Sequence, residues 1–493
     1  MIDGKIDTLK LFQLLVEEKD SQQKKEMCGE LQIRANTKPR LKSLTLKDYR
    51  NFKNDTLKFP NSNLIVICGV NGAGKTGLIK AIASSLSWLF NRIYHNGGRG
   101  WNGKEEDISL FNNSKFFTTS LNMDVCDRFI NIEINKAFDE LDKVSSHVSE
   151  ATDIGNIYKY LKTSDLLVSS PLFEYYSIER NSLFKEPSQS DYTRSKEATS
   201  SFALPINLSS VMVWYKRAYD RFTGKELTST KASLEKLVEM LFEAEDSNDI
   251  DKITREINTL KQSNETLSHE ESNQIVKDVN TIASEFINGV TEVLFSYDQE
   301  TKLTFNKNGK QIFFNQLSHG EQAIFALLID IYKKLYAKNP KLPMEGTGVI
   351  LIDELDLHLH PEWQRKIANY LPKIFKNCQF VIATHSAQII SEVEPSSIIV
   401  LKNDSDGTTS WHRATRSLGV SSNEVLDEIM SSETTLSMNK DSLDKYKEIE
   451  KLIEKENTSE AISLIKSLET LYGETPELIR LKFELDLLGI DFD

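Results

Sequence analysis

Apolar and polar residues alternate in short stretches from Leu41, in LKSLTLKDYRNF and TLKF. This period of two predicts antiparallel strands separated by a turn at Asn54-Asp55. Asn63 to Cys68 (NLIVIC) is apolar throughout and predicts a strand running straight into a glycine-rich turn. From Lys75 to Phe90 the period lengthens, and Leu78, Ile79, Ile82, Leu86 and Leu89 fall at helical spacing. The next strand the pattern marks is Pro171 to Ile178 (PLFEYYSI), followed by a polar loop from Ser188 to Ser201. Lys231 to Val290 has helical propensity that carries on through TEVLF. Leu303 to Phe314 reads as a hairpin turning at Asn308-Gly309. A helix from Gln322 to Tyr336, a strand from Gly348 to Ile352, a helix from about Pro361 and a strand from Gln379 to Ala383 complete the middle of the chain.

Both ends read as helical. Before residue 37, Leu9, Leu11, Phe12, Leu14, Leu15 and Val16 stand among charges. Beyond Val420, Ser421 opens a capping box with Glu424, Thr475-Pro476 supplies a cap with proline at the first helical position, and Gly489 fits a C-cap. Two apolar stripes mark this tail, Leu464, Leu468, Leu471 and Tyr472, then Leu478, Leu481, Leu485 and Leu488. They serve either to pack against each other or to dock a partner.

The chain has 493 residues, 39% hydrophobic and 27% charged, enough for a substantial core and, at the usual size, for about two to four domains. No apolar run reaches the ~18 to 20 residues that span a bilayer. Met1 to Asp20 mixes Asp, Lys and Glu into its apolar positions, unlike a signal peptide, so a soluble cytoplasmic protein with no membrane partner is expected. Cys28, Cys68, Cys126 and Cys378 stand far apart and form no CxxC pair, so reduced thiols are expected. The net charge of −13 is uneven: from Ser421 to Asp493, 8 Lys and Arg face 18 Asp and Glu. The rest is close to neutral and leaves room for a local basic face.

Chemistry concentrates in four places. Gly69-Val70-Asn71-Gly72-Ala73-Gly74-Lys75-Thr76 fits G-x-x-x-x-G-K-[ST]. A phosphate needs several backbone N–H groups pointed into one concavity, and glycines permit that geometry. Asn71, Gly72, Ala73, Gly74, Lys75, Thr76 and Gly77 are therefore candidate nucleotide contacts. Lys75, expected to be exposed, would reach the β- and γ-phosphates, and the Thr76 hydroxyl would ligate Mg²⁺. The apolar strand Val349 to Ile352 ends in Asp353-Glu354, with Asp353 the candidate Mg²⁺ holder and Glu354 the candidate catalytic base on water. Leu317-Ser318-His319-Gly320-Glu321-Gln322 opens a helix whose free amides can face a γ-phosphate, which adds Ser318, Gly320 and Glu321 to the candidate nucleotide contacts. Thr384-His385-Ser386 follows the strand FVIA and offers His385 as a second catalytic candidate.

In this chain order the phosphate loop, the LSHGE signature, the DE strand, Asp356 and His385 resemble ABC-type ATPase heads of the SMC and RecF class. The resemblance implies an α/β P-loop NTPase fold with ATP and Mg²⁺ as cofactors. It also implies a head-to-tail homodimer in which Ser318 and Gly320 of one copy close the ATP site of the other. It covers residues 37–185 and 296–420 as the two halves of a head. Residues 1–36 are then a helical extension, 186–295 a mostly helical, short coiled-coil-like insertion, and 421–493 an acidic helical tail. Thr76 and Ser318 are only 242 positions apart, too few for a long tethering arm, and Tyr175-Tyr176 to Arg180 stands about where a Q-loop glutamine belongs.

LSWLFNRI, PLFEYYSIER and DELDLHLHPEWQ are more specifically similar to the PtuA ATPases of Septu anti-phage systems, retron-associated versions included, near the OLD ATPases. This implies an ATPase subunit that regulates a separate HNH nuclease and, in the retron versions, works with a reverse transcriptase and its DNA. Two alternatives are an OLD-family ATPase and a RecF-like repair ATPase, each acting directly on DNA. Asp404-Ser405-Asp406-Gly407 reads as a hairpin turn rather than a nuclease motif, and of the eight histidines only His358 and His360 are close, so no nuclease chemistry is expected in this chain. The run Arg34, Lys38, Arg40, Lys42, Lys47, Arg50 and Lys53 is either a solvated strand face or a set of phosphate contacts.

Overall fold

The computed structural model describes residues 6–95, 97–109, 114–138, 144–164, 169–181, 202–225, 237–241, 253–254, 267–298, 300–357, 359–420, 424–425, 440–455, 457–473 and 475–487. Two compact units divide the chain at Val420.

The first unit opens with helices α1 (Thr8–Glu17) and α2 (Ser21–Ala35), whose Leu11, Leu15, Leu31 and Ala35 are buried in the main core. Strands β1 (Arg40–Tyr49) and β2 (Phe52–Lys58) follow, and the register Tyr49↔Phe52 puts their turn at Arg50-Asn51. The turn expected at Asn54-Asp55 is absent, because both residues pair inside the ladder with Lys47 and Leu46. β2 lies at the edge of its sheet, where polar outward positions cost little. Strand β3 (Leu64–Gly69) then leads through the glycine turn into α3 (Lys75–Tyr94).

Between α3 and the strand beginning at Leu172 lie three elements beyond the sequence expectation: β4 (Phe116–Val125), β5 (Arg128–Ala137) and α4 (Ser149–Thr163). They complete an antiparallel sheet in the order β2-β1-β4-β5, and α4 packs on α3. Strand β6 (Leu172–Tyr176) and helix α5 (Leu208–Phe222) follow. The Ser188–Ser201 loop and most of Lys231 to Leu260 fall outside the described residues.

Helix α6 (His269–Phe286) ends earlier than expected, and Val290–Ser296 is strand β7. Gly289 at φ +80° turns the chain, and a side chain there would meet the Asn308 side chain at 2.1 Å. Val290, Thr291, Val293 and Phe295 then favour an extended ladder with β8 (Lys302–Lys307), which pairs with β9 (Lys310–Phe313). The hairpin turns at Asn308-Gly309 as expected.

Helix α7 (His319–Lys338), strand β10 (Gly348–Ile352), helix α8 (Pro361–Ile374), strand β11 (Cys378–Ala383) and the hairpin β12 (Ile398–Asn403) and β13 (Thr409–Arg413) finish the unit. Asp404 to Gly407 is the turn of that last hairpin. The central sheet runs β13-β12-β3-β11-β10-β6, parallel except for β13. Strands β3, β6, β10 and β11 are buried along their whole length, as parallel strands covered on both faces must be. Their carboxyl ends bring the loops after Gly69, Ile352 and Ala383 to one edge of the sheet, where ligands of such sheets bind.

In the second unit α9 (Lys440–Glu454), α10 (Thr458–Tyr472) and α11 (Pro476–Leu487) share a core of Ile449, Ile453, Ala461, Ile465, Leu468, Leu478, Leu481 and Leu485. Of the two alternatives for the tail stripes, mutual packing holds for Leu468, Leu478, Leu481 and Leu485, with Leu464 packed partly against them, whereas Leu471 is exposed. The Thr475 hydroxyl accepts from Leu478 N at 3.3 Å and caps α11. Ser421, Leu488 and Gly489 lie outside the described residues. All four cysteines are buried and unpaired. Among the described residues no helix is long and apolar enough to cross a membrane.

Candidate nucleotide site

The phosphate loop depends on glycine at particular points. Gly69 leaves β3 at φ +146°, and a Cβ there would meet the Leu401 carbonyl oxygen at 2.4 Å. Gly74, at φ +91°, is the N-cap of α3 and packs under the Phe52 ring. Gly77, one turn into the helix, lets the Arg50 side chain cross at a distance a Cβ would reduce to 2.9 Å. The helix amides therefore open toward a cavity of about 320 Å³ lined by Arg50, Asn71, Lys75, Thr76, Glu354 and His385, among others.

Lys75 is buried, only 4% exposed, contrary to the expectation of an exposed loop lysine. Its ammonium donates to the carbonyls of Gly69 at 3.0 Å and Val70 at 3.2 Å and lies 2.5 Å from His385 Nε2. His385 Nε2 in turn stands 3.3 Å from a carboxylate oxygen of Glu354. Residues 75, 354 and 385 thus converge from three loops, as the sequence motifs require. Burial pulls the Lys75 ammonium down from its ordinary value, with Glu354 and the nearby acids working against that. Burial also pushes the Glu354 carboxyl up, yet the hydrogen bond and charge of His385, with Lys75 and Arg180, leave it below its ordinary value.

Thr76 Oγ1 lies 3.3 Å from Asp353 Oδ1, and Asp353 Oδ2 is buried with no hydrogen-bond partner. A hydroxyl facing a carboxylate with an unsatisfied buried oxygen is the donor set of a hard divalent cation, so Mg²⁺ fits here. Burial raises the Asp353 carboxyl, which a bound cation would reverse. Behind His385, Thr384 Oγ1 donates to Asp356 Oδ1 at 2.5 Å and accepts from Ser386 N, fixing the loop that carries the imidazole.

The signature residues stand apart from this cluster. Ser318 caps α7 and shares a capping box with Glu321, which Lys307 holds at 2.8 Å. Ser318 is exposed, Gly320 is buried, and neither they nor Glu321 line the cavity at the phosphate loop.

Residues outside the four motifs also belong here: Trp101, Asn102 and Gly103, which no sequence pattern marked, and Arg50, Tyr175 and Arg180, named above only in the basic run and at the Q-loop position. A larger cavity of about 650 Å³ adjoins the first, sharing Arg50 and Thr76 with it, and is walled by Trp101, Asn102, Gly103 and Tyr175. Arg50 reaches it from the β1–β2 turn, where its Nε donates to Asp107 at 2.7 Å. The basic run is dispersed: Arg34, Lys42, Arg50 and Lys53 each face an acid, Glu30, Asp124, Asp107 and Asp406 in turn. Arg180, on the loop after β6, donates to the backbone carbonyls of Asp353 and Glu354 at 2.6 and 2.7 Å. Arg50 and Trp101 carried no motif signal, since their place follows from β1, β4 and α3 meeting.

A parallel sheet with a phosphate loop after β3, paired acids after β10 and a histidine after β11 is the α/β architecture of a P-loop ATPase. The chain belongs to the AAA ATPase domain family, which it matches over residues 40–390, and it is an ATPase. It is 28% identical to the retron Vc95 probable ATPase of Vibrio cholerae serotype O1 biovar El Tor over 386 residues, 74% of each chain. It is likewise 28% identical to the retron Ec83 probable ATPase of Escherichia coli, over 74% of this chain and 72% of that one. The Septu protein PtuA of Bacillus thuringiensis is 26% identical over 36% of this chain and 47% of its own. The Smc head domain of Pyrococcus furiosus, bound to the C-terminal domain of ScpA, aligns at 16% identity over 76% of this chain and 96% of its own, with a TM-score of 0.41.

Proposed function

We propose that the chain binds ATP with Mg²⁺ over Gly69–Gly77 and hydrolyses it in a head-to-tail homodimer, and that this cycle controls a separate HNH nuclease in anti-phage defence in the cytoplasm. The observation that carries the hydrolytic part is the convergence of Lys75, Glu354 and His385 within 3.3 Å contacts at one sheet edge. Lys75 exchanges its contacts with the Gly69 and Val70 carbonyls for phosphate oxygens. The amides of Asn71 to Gly77 cradle the same oxygens. Thr76 and Asp353 would hold Mg²⁺, which would supply positive charge against the developing negative charge of the phosphates. Glu354, kept ionised by His385, orients the attacking water and takes up its proton. His385 steadies both Glu354 and the terminal phosphate. The aromatic cavity behind Arg50 suits the base and ribose, with Trp101 and Tyr175 as walls.

Ser318 and Gly320 act on the nucleotide of a second copy in this reading. Its support is the exposed position of Ser318 at a helix N-terminus, away from its own phosphate loop. The nuclease partner, with a reverse transcriptase and its DNA, is what the motif resemblance to PtuA ATPases implies; the relatives named retron ATPase and Septu PtuA support the defence setting of this reading. The direct test compares the wild-type chain with Lys75→Ala and Glu354→Gln. Titration calorimetry should show lost affinity in the first. The second should keep affinity and turn over on the order of 10²- to 10⁴-fold more slowly. Unchanged affinity in Lys75→Ala, or wild-type turnover in Glu354→Gln, would remove the assignment.

A further inference from the structure

We propose that Arg180 is the positioning residue that aims the Glu354 carboxylate, by clamping the two peptide groups that flank it. This rests on the reading of Glu354 as the base on water. Glu354 has φ +49°, a left-handed conformation that an L side chain keeps only where its surroundings impose it. Leu357 N donates to the Glu354 carbonyl at 3.1 Å and Leu355 N to Ala383 O at 3.2 Å, and the guanidinium of Arg180 is the side chain that adds to them. Its Nη1 donates to the Asp353 carbonyl at 2.6 Å and its Nη2 to the Glu354 carbonyl at 2.7 Å, with Leu355 O at 3.4 Å. A planar fork can hold consecutive carbonyls at a fixed angle, which an ammonium cannot.

Arg180 is 3% exposed and lines neither cavity, so it acts on Glu354 without meeting the nucleotide. It is itself fixed. β6 and β10 leave the sheet side by side, with Asp353 N donating to Tyr176 O at 2.9 Å. Arg180 N donates to Ser177 O at 3.0 Å, and Arg180 O accepts from Ile206 N at 2.9 Å, just ahead of α5.

The clamp also joins Glu354 to the signature helix. Tyr176 Oη donates to Asp330 of α7 at 2.7 Å, and Lys334 of α7 pairs with Glu174 of β6 at 3.0 Å and with Asp330 at 2.8 Å. α5 is tied to α7 as well, through Lys333 and Ser210 at 2.6 Å. The helix that Ser318 caps is therefore linked to the backbone of Glu354 by polar contacts through β6 and Arg180.

The test uses the full chain and Arg180→Lys, which keeps the charge and loses the fork. ATP affinity and KM should stay within about twofold, while kcat falls on the order of 10²-fold, the usual consequence of misplacing a reacting group by about 1 Å. In a Glu354→Gln background the same substitution should cost almost nothing more, because the group it aims is gone. Arg180→Gln, which retains one donor nitrogen in place of the fork, gives the same comparison if the lysine disturbs folding, and free guanidinium should restore part of the activity of Arg180→Gly. Wild-type kcat in Arg180→Lys, or full additivity with Glu354→Gln, overturns the proposal. A Glu354→Gln chain that hydrolyses ATP normally overturns instead the role of Glu354, and the two failures are told apart by that variant alone.

Discussion

The Thr76 hydroxyl lies 3.3 Å from the carboxylate of Asp353, a residue 277 positions further along the chain. The other oxygen of that carboxylate is buried without a partner, and an unsatisfied buried acceptor costs about 1–3 kcal/mol. The protein therefore carries a local instability at the place where a cation would bind.

Asp353→Asn should accordingly raise the unfolding temperature of the metal-free, nucleotide-free protein, since it removes a buried charge while keeping the shape. The same substitution should abolish the extra stabilisation that Mg²⁺ with ATP gives the wild type. Thermal unfolding in chelator and in Mg²⁺-ATP measures both. A variant that is less stable without ligand, yet still stabilised by Mg²⁺-ATP, would contradict this role.

The chemistry-bearing loops were legible because each follows an apolar strand and has a local signature: glycines after Cys68, two acids after Ile352, a histidine after Ala383. Their spacing also predicted that they would meet, because parallel strands end at one edge. What stayed hidden was non-local or disguised. β4 and β5 alternate cleanly, with Phe117, Leu121, Met123, Ile130, Ile132 and Ile134 buried, but no motif drew attention to them. Val290 to Phe295 continues a helical register, and only the Gly289 turn and pairing with β8 make it a strand. Arg180 stands in a motif whose expected residue was glutamine. Its function lies in backbone carbonyls that no side-chain pattern reveals.

Lys338 at the end of α7 sits over the Tyr94 ring and lines neither nucleotide cavity, and burial with the like charge of Lys162 brings its ammonium down to about 8. The ordinary value is 10.5, so the folded chain holds this proton less tightly than the unfolded one. The charged form thus costs stability below pH about 8, and the cost is relieved as pH rises from there toward 10.5. Lys338→Met should be more stable than the wild type at pH 7, with a gain that shrinks as pH passes 8. Unfolding temperatures of both proteins across that range decide it; a gain that grows with pH would have the wrong sign.

Ser318→Arg tests the trans site. The substitution places a bulky cation where a second copy would meet the first, and also removes the N-cap of α7, worth about 1 kcal/mol. ATP binding by the monomer should persist and hydrolysis should vanish. Ser318→Gly separates the two effects, since glycine is a tolerable cap and adds no bulk. Mixing Ser318→Arg with Lys75→Ala should restore at most one working site per dimer. Normal hydrolysis by Ser318→Arg alone would show that the site is closed within one chain.

The last prediction concerns the tail. Residues after Val420 form a unit with its own core of Ile449, Ile465, Leu468, Leu478, Leu481 and Leu485, and every residue around the nucleotide cavities lies before it. A chain ending at Val420 should therefore bind and hydrolyse ATP within about twofold of the full chain, since units with separate cores and no shared site residues contribute additively. The tail has 18 acids against 8 bases, and beyond its core it shows Ile479 and Phe483 on one face of α11, 50% and 61% exposed. An acidic surface with an apolar strip suits a basic partner with an apolar contact, which in the proposed function is the nuclease subunit. Co-purification with the proposed nuclease subunit should then be lost on truncation. With the full chain it should weaken as salt rises, because the Debye length shrinks from ~10 Å at 0.1 M toward ~3 Å at 1 M. Equal capture by the truncated chain would place the docking surface in residues 1–420 and leave the tail without that role. Cleavage of nucleic acid by the purified chain with no partner present would overturn the division between ATPase and nuclease altogether.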